Sequence, residues 1–593
     1  MSVTAAQDAS RLFAQAEGAF QAGQLGQAEA LLAHLRQVVR GDGNVLHLSA
    51  LVAKRSGRAA DAARHFQEAL RSRPRDPQIL TNFGNLLAEA GQPEPALEAY
   101  ARAIEADAKF LPGLLNRASL LQKLGRDQEA LRDLDAANAA RPKQAQVQSM
   151  RGASLLALGE IRASAEAFDA ALAVDPQRAT ALAGRASAAM QLGDSEAPGL
   201  LRRALAVRPG DPQLIVQLAE ALEAEGDSAG LELMEQAVAG SPDWVQGQMT
   251  LARMRWEAGR SDDFTAALEQ RIAETPRNVS LWEALVVSLG TADRHAEAAG
   301  AARRGQAAVG THPGLAMFEA LESSEAGDLA GADEAFARVP PGFPGATVSE
   351  ARHRLRTREI ERSQQLLTEA LREEPWDITA WALQGILWRF TGDPRNAWLH
   401  EQAGLVAAHE LPLTEPEVEA IADRLRSLHQ TKAHPLGQSL RGGTQTRGRL
   451  FERLEPEVRR LREAVLDVLH RHWAALPPRD VAHPLLRHRD LAPKLEGSWS
   501  VRLTGSGYHV SHIHPRGVIS SATYFVVPEE DEPGAGHLEI GGAPPELGLD
   551  LPPLASFQPR PGRMVLFPST LYHGTRPFAS GERLTAAFDV VTA

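Results

Sequence analysis

Cysteine is absent from this 593-residue chain. Disulfides, thiolate metal sites and cysteine nucleophiles are therefore excluded, and any bound metal has to be held by histidine or carboxylate. No window approaches 18 uninterrupted apolar residues, which excludes a membrane-spanning helix. A strong charge excess is also missing. The formal net charge of −12 is modest for this length and argues against a general nucleic-acid binder. The opening residues, Met1-Ser-Val-Thr-Ala-Ala-Gln-Asp, lack a basic segment followed by an apolar one, so no signal peptide is expected. These absences predict a soluble cytoplasmic protein that binds neither nucleic acid nor membrane. Nothing in the pattern specifies an oligomeric state.

What is present begins with repetition. The length exceeds one ordinary core, so several domains or a repeat array are expected. Prolines punctuate helical blocks at Pro74, Pro142, Pro176, Pro209, Pro242 and Pro276, about 34 residues apart, with a double gap between the first two. Within one unit, Leu80, Phe83, Gly84 and Leu87 mark one helix face, and Ala96, Tyr100 and Ala103 the next. Neighbouring units echo them with Ala62, Phe66 and Ala69, and with Gly152, Phe168 and Ala171. The glycines let two helices approach, and the aromatic rings fill the space between units. Proline ends the second helix because it lacks an amide donor and clashes with the preceding turn. The pattern resembles the tetratricopeptide repeat over roughly residues 10–410. It weakens from 290 to 350, where Pro313, Pro340, Pro341 and Pro344 disturb the period, and returns near Pro375 and Gly385. The resemblance implies an α-helical solenoid whose groove binds a protein or peptide. Trp244, Trp256, Trp282, Trp376 and Trp381 are expected to pack between helices rather than line that groove.

The period is lost after Leu411. Helical spacing predicts one helix over 415–430 and a second from about Gly448 to Ala475. Between them, Arg441-Gly-Gly-Thr-Gln-Thr446 reads either as a flexible loop or as a loop facing substrate or co-substrate, with Arg441 able to meet a carboxylate. From Leu495 the pattern changes to short alternating runs broken by glycine and proline. These predict strands near 499–503, 519–527, 537–540, 563–567 and 584–591, and hence a sandwich or barrel.

Chemistry concentrates there. His512 and His514 stand two apart, so in a strand they face the same way, and His573 follows a later strand ending at Phe567-Pro568. Three such rings can hold one ion and leave coordination positions open. His509 is one residue out of phase and is expected to face away as a hydrogen-bonding group. Ten residues past His573 comes Arg583, with Thr585 on the same strand face. Asp589 shares that phase without an assignable role.

The set His512, His514, His573 and Arg583 resembles the 2-oxoglutarate/Fe(II)-dependent oxygenases, over roughly residues 430–593, and a bacterial HxHP…H subgroup in particular. That resemblance implies a double-stranded β-helix (jelly roll) with flanking helices. His512, His514 and His573 would be the catalytic Fe(II) ligands. Arg583, Thr585 and Tyr524 would contact 2-oxoglutarate, although core packing accounts for Tyr524 equally well. The implied reaction uses O2, converts 2-oxoglutarate to succinate and CO2, and hydroxylates a protein or peptide recruited by the repeats. His514 departs from the usual His-x-Asp or His-x-Glu pattern, leaving the centre one charge more positive and leaving open whether His514 or another group takes that position. The expected division is a repeat domain at 1–410, linking and supporting helices at 411–480, and an oxygenase core at 481–593. Two other readings share features. Cupins carry an HxH…H set but tend to place a glutamate four residues after the second histidine, where this chain has Val518. A non-enzymatic repeat scaffold would have no use for His512, His573 and Arg583 together.

Overall fold

The repeat period becomes a succession of helical pairs in the computed structural model of the protein, which describes residues 3–431, 433–529 and 532–592. Among the described residues, twenty-four helices run from Val3–Gln21 to Arg395–His400. The chain divides into two compact units, one of residues 1–189 with 199–209, the other of 190–198 with 210–593.

In the first unit, each expected feature has a local cause. The helix Ala59–Ser72 stops two residues before Pro74, and Pro77 opens Pro77–Glu89 at the position where a missing amide proton matters least. Asp76 caps that helix by accepting from the backbone N–H of Gln78 and Ile79. A Cβ at Gly84 would lie 2.6 Å from the Tyr100 ring, and one at Gly152 would lie 2.8 Å from Phe168, so these glycines set the helix spacing. Phe66, Tyr100 and Phe168 are fully packed between helices. The turn inside each pair carries a left-handed residue: Gly57, Gly91, Gly125 and Gly159 all have φ between 71° and 78°.

The second unit continues the pairs through Pro212–Ala224 to Ile378–Thr391. Helices persist where the sequence period weakens. Pro313 begins the helix Pro313–Glu325 instead of ending one, and Pro340, Pro341 and Pro344 fall in the connection before Ala346–Arg356. Trp282 is buried, and Trp381 packs with Trp388 and Trp398. Trp376 differs: it is 39% exposed, with the Arg487 guanidinium 3.8 Å from its ring centre.

Among the described residues, nine strands follow: β1 (Ala407–Glu410), β2 (Leu440–Gln445), β3 (Pro493–His509), β4 (Ile519–Val526), β5 (Leu538–Ile540), β6 (Ala555–Phe557), β7 (Arg563–Pro568), β8 (His573–Thr575) and β9 (Glu582–Thr592). They form a six-stranded antiparallel sheet in the order β1-β7-β4-β9-β3-β2 and a three-stranded sheet in the order β6-β5-β8. One face of the large sheet packs on the helices Glu415–Ser427 and Pro456–Ala475 through Met564, Leu566, Leu584, Ala586, Phe588 and Val590. Its other face meets the small sheet through Tyr524, Val565, Phe567, Leu538 and Ile540. The alternation along β9 therefore turns Arg583, Thr585 and Asp589 away from the helices.

Two expectations change here. The long helix predicted from Gly448 starts only at Pro456, preceded by a short 3₁₀ turn at Leu450–Glu452, because proline favours the first helical turn. The segment Arg441–Thr446 is no free loop: it begins inside edge strand β2, and Arg441 is held by Asp293 and by the carbonyls of Gln438 and Leu440.

Candidate metal centre

Strand β3 ends at His509, and the chain then turns across the opening between the two sheets. His512 meets His573 in a single two-residue bridge, each backbone N–H donating to the other's carbonyl at 3.0 Å. His573 begins β8, so this bridge ties the HxH segment to the small sheet. The three rings converge. Their centroids lie 4.1 to 5.0 Å apart, and one ring nitrogen from each falls within 4.8 Å of the others.

Every Nδ1 is engaged outward. His512 Nδ1 donates to Val510 O at 2.9 Å, His573 Nδ1 to Leu571 O at 3.2 Å, and His514 Nδ1 to Asp589 Oδ1 at 2.5 Å. Carbonyl and carboxylate oxygens only accept, so each Nδ1 carries a proton, and in a neutral ring this leaves Nε2 with its lone pair for the cavity. Yet His512 Nε2 and His514 Nε2 face each other at 3.1 Å. Two ring nitrogens at that distance, with a third imidazole beside them, can share one cation. Burial pushes the His512 pKa down to about 3 and holds His573 well below the ordinary value, so these two rings are neutral bases in the folded protein. The donor set, three neutral imidazoles and no thiolate, suits a borderline divalent ion such as Fe(II).

Arg583 occupies the same cavity, whose volume is about 530 Å³. It is 2% exposed, its Nε has no hydrogen-bond partner, and no carboxylate among the described residues forms an ion pair with it. Its guanidinium sits 5.1 Å from the Tyr524 ring centre, and burial lowers its pKa. The buried Tyr524 hydroxyl is likewise without a hydrogen bond of ordinary geometry. Thr585, opposite Tyr524 in the sheet, lines the cavity with its hydroxyl 3.4 Å from Val501 O. A buried cation without a counter-ion is strongly unfavourable and marks a place prepared for an anionic ligand.

The six expected site residues are thus brought together. His509 is placed differently from expectation: it does not face away. Because the strand ends at His509, the two-residue alternation no longer applies, and the ring stacks on His512 with centroids 5.7 Å apart and lines the cavity. It does hydrogen-bond, through Nδ1 to Ser439 Oγ at 3.0 Å.

Other residues escaped the sequence reading. Ser439 also lies 3.2 Å from His512 Nε2. Seventy residues separate it from His509, and no local pattern points to it. Asp589 had one legible signal, its shared phase with Arg583 and Thr585. The repeats contribute as well. Gly290, Thr291 and Asp293 form part of the cavity wall, and Gly437 N–H donates to Thr291 O at 2.9 Å. Further repeat helices brace the strands behind the site. Arg352 Nη1 donates to the Tyr572 hydroxyl at 3.2 Å, and His400 Nε2 lies 3.0 Å from Thr570 Oγ1, both just ahead of His573.

A family model described as "Putative 2OG-Fe(II) oxygenase" matches residues 497–589, and one described as "Tetratricopeptide repeat" matches residues 47–110 and 149–212. No curated protein matches the chain. Several solved structures are similar to part of it. One is pilF of Pseudomonas aeruginosa, at 18% identity over 37% of this chain and 99% of that one, with a TM-score of 0.34. Another is MamA of Desulfovibrio magneticus RS-1, at 19% identity over 29% and 97%, with a TM-score of 0.27. A third is YrrB, titled a TPR protein with an unusual peptide-binding site, at 20% identity over 31% and 97%, with a TM-score of 0.28. The chain accordingly carries tetratricopeptide repeats and a C-terminal antiparallel β-sheet region of that oxygenase description. Among the described residues, no helix is long and apolar enough to cross a membrane.

Proposed function

We propose that this chain, with its repeats and its oxygenase-type β region, is a 2-oxoglutarate- and Fe(II)-dependent dioxygenase that hydroxylates a protein or peptide brought to it by the repeats. The observation that carries this reading is the meeting, in one cavity, of three imidazole rings with a buried guanidinium that has no counter-ion among the described residues. His512, His514 and His573 would hold the iron through Nε2. Arg583 would grip the far carboxylate of 2-oxoglutarate by a two-point fork, with the Tyr524 hydroxyl and Thr585 beside it. Bound there, iron and 2-oxoglutarate would supply the O2-dependent chemistry that yields succinate, CO2 and a hydroxylated substrate.

The chain's own residues do the rest. The outward Nδ1 bonds fix each ring's tautomer and direction, and the apolar shell of Leu538, Val565 and Phe567 limits water. Two facing sheets with helices on one side fit a jelly roll, with residues 411–480 supporting a core at 481–593. A cupin of other chemistry is the less favoured reading, because it leaves Arg583 without a task.

Anaerobic titration with Fe(II), followed by 2-oxoglutarate, tests the proposal. Each addition should raise the melting temperature by mass action, and O2 should then release succinate. Failure of 2-oxoglutarate to stabilise the Fe(II) form would overturn it.

A further inference from the structure

Resting on the metal reading above, we propose that Asp589 is a positioning residue that delivers negative charge to the metal centre through the His514 ring. Of the three rings, only His514 donates to a carboxylate. The Nδ1 partners of His512 and His573 are neutral backbone carbonyls. Among the described residues, Asp589 and Asp293 are the only acidic ones lining the cavity, and Asp293 is engaged by Arg441. Three neutral imidazoles would leave the full double charge of a divalent ion uncompensated. A carboxylate hydrogen-bonded to one ring raises that ring's basicity and restores part of the missing anion.

The surroundings are built for this contact. The side chains of His514 and Asp589 are only 13% and 14% exposed. Asp589 faces Ser520 across β4 and β9, and Ser520 Oγ donates to Asp589 Oδ1 at 3.3 Å. Ser569 Oγ stands 2.9 Å from Ser520 Oγ, so two hydroxyls in series can point donors toward the carboxylate. A Cβ at Gly517 would lie 3.1 Å from both Asp589 Cβ and Ser569 Oγ, so glycine lets the turn after His514 close onto the acid.

Calorimetric titration of the full chain with Co(II), without 2-oxoglutarate, tests the role. Asp589→Asn keeps an acceptor for His514 Nδ1 but removes the charge. It should weaken Co(II) binding about 10- to 100-fold and shift the visible Co(II) spectrum, while the metal-free melting temperature stays near wild type. Adding His514→Glu to Asp589→Asn should recover most of the affinity, because a direct carboxylate then replaces the pair. Asp589→Glu, which retains the charge, should bind more tightly than Asp589→Asn and serves as the comparison if the Asn variant folds poorly. Wild-type affinity in Asp589→Asn, or no recovery in the double variant, overturns the role of Asp589 alone. Absence of Co(II) binding by the wild type would overturn the metal reading itself.

Discussion

Replacing Arg583 by methionine separates function from stability in opposite directions. The guanidinium is 2% exposed and, among the described residues, has no carboxylate partner, so the metal-free protein bears the desolvation of a charge without a counter-ion. Replacing buried ion pairs by apolar side chains of similar volume often stabilises proteins, by about 1 to 4 kcal/mol. An unpaired charge should gain at least as readily, and the melting temperature of metal-free Arg583→Met should rise by a few degrees. Binding of 2-oxoglutarate should move the other way. Each hydrogen bond to a charged group contributes about 1.5 to 3 kcal/mol, so the loss of a two-point fork removes about 3 to 6 kcal/mol. At about 1.4 kcal/mol per decade, that weakens binding roughly 10²- to 10⁴-fold. Calorimetric titration of 2-oxoglutarate into the anaerobic Mn(II) form, alongside thermal denaturation of the metal-free form, measures both. A variant that melts well below wild type and still binds 2-oxoglutarate normally would show that Arg583 serves the fold and not the ligand.

His573→Ala should abolish divalent-metal binding, while His509→Gln, which alters a ring that touches Ser439 and His512 but is outside the three-histidine set, should stay within a few-fold of wild type by calorimetry. Gly84→Ala places a methyl group 2.6 Å from the Tyr100 ring and should lower the stability of the first unit by about 1 to 3 kcal/mol, read by denaturant unfolding. Burial holds His400 down at about 3 and His429 and His472 at about 4, all far below their unfolded value of 6.5. The unfolded chain therefore binds more protons below pH 6.5, and stability should fall as pH drops from there toward 4, by up to about 1.4 kcal/mol per pH unit for each ring. A flat stability profile over that window would show these rings to be solvated.

The repeats were legible because their causes are local and recur. Proline at a helix end, glycine opposite an aromatic ring, and a left-handed turn residue every thirty-odd positions each act within one or two units. The period blurred from 290 to 350, where Pro313 opens a helix and Pro340, Pro341 and Pro344 fall in the connection before the next one. The turns at Asp293 and Arg358 also lack the glycine that marks most others: both keep positive φ, and both reach toward the β region, Asp293 to Arg441 and Arg358 to Gly548 O. Non-glycine residues in that conformation are strained by roughly 1 kcal/mol or more, and here the strain accompanies a contact the repeat signature does not encode.

At the candidate metal centre, spacing and residue type picked out His512, His514 and His573, and Arg583 was added by the resemblance to the oxygenases, because such sets need few residues of distinctive chemistry. The orientation of His509 could not be read this way, since alternation holds only while a strand continues and this one ends at that residue. Ser439, Thr291 and Asp293 reach the cavity through folding contacts across long stretches of chain. Sequence by itself determined the repeat, the strand pattern and the reactive groups, all governed by short-range geometry. Only the tertiary structure decided which ring nitrogens face one another, which carboxylate stands behind His514 and which repeat turn walls the cavity. Those depend on where distant segments pack, which no local period records.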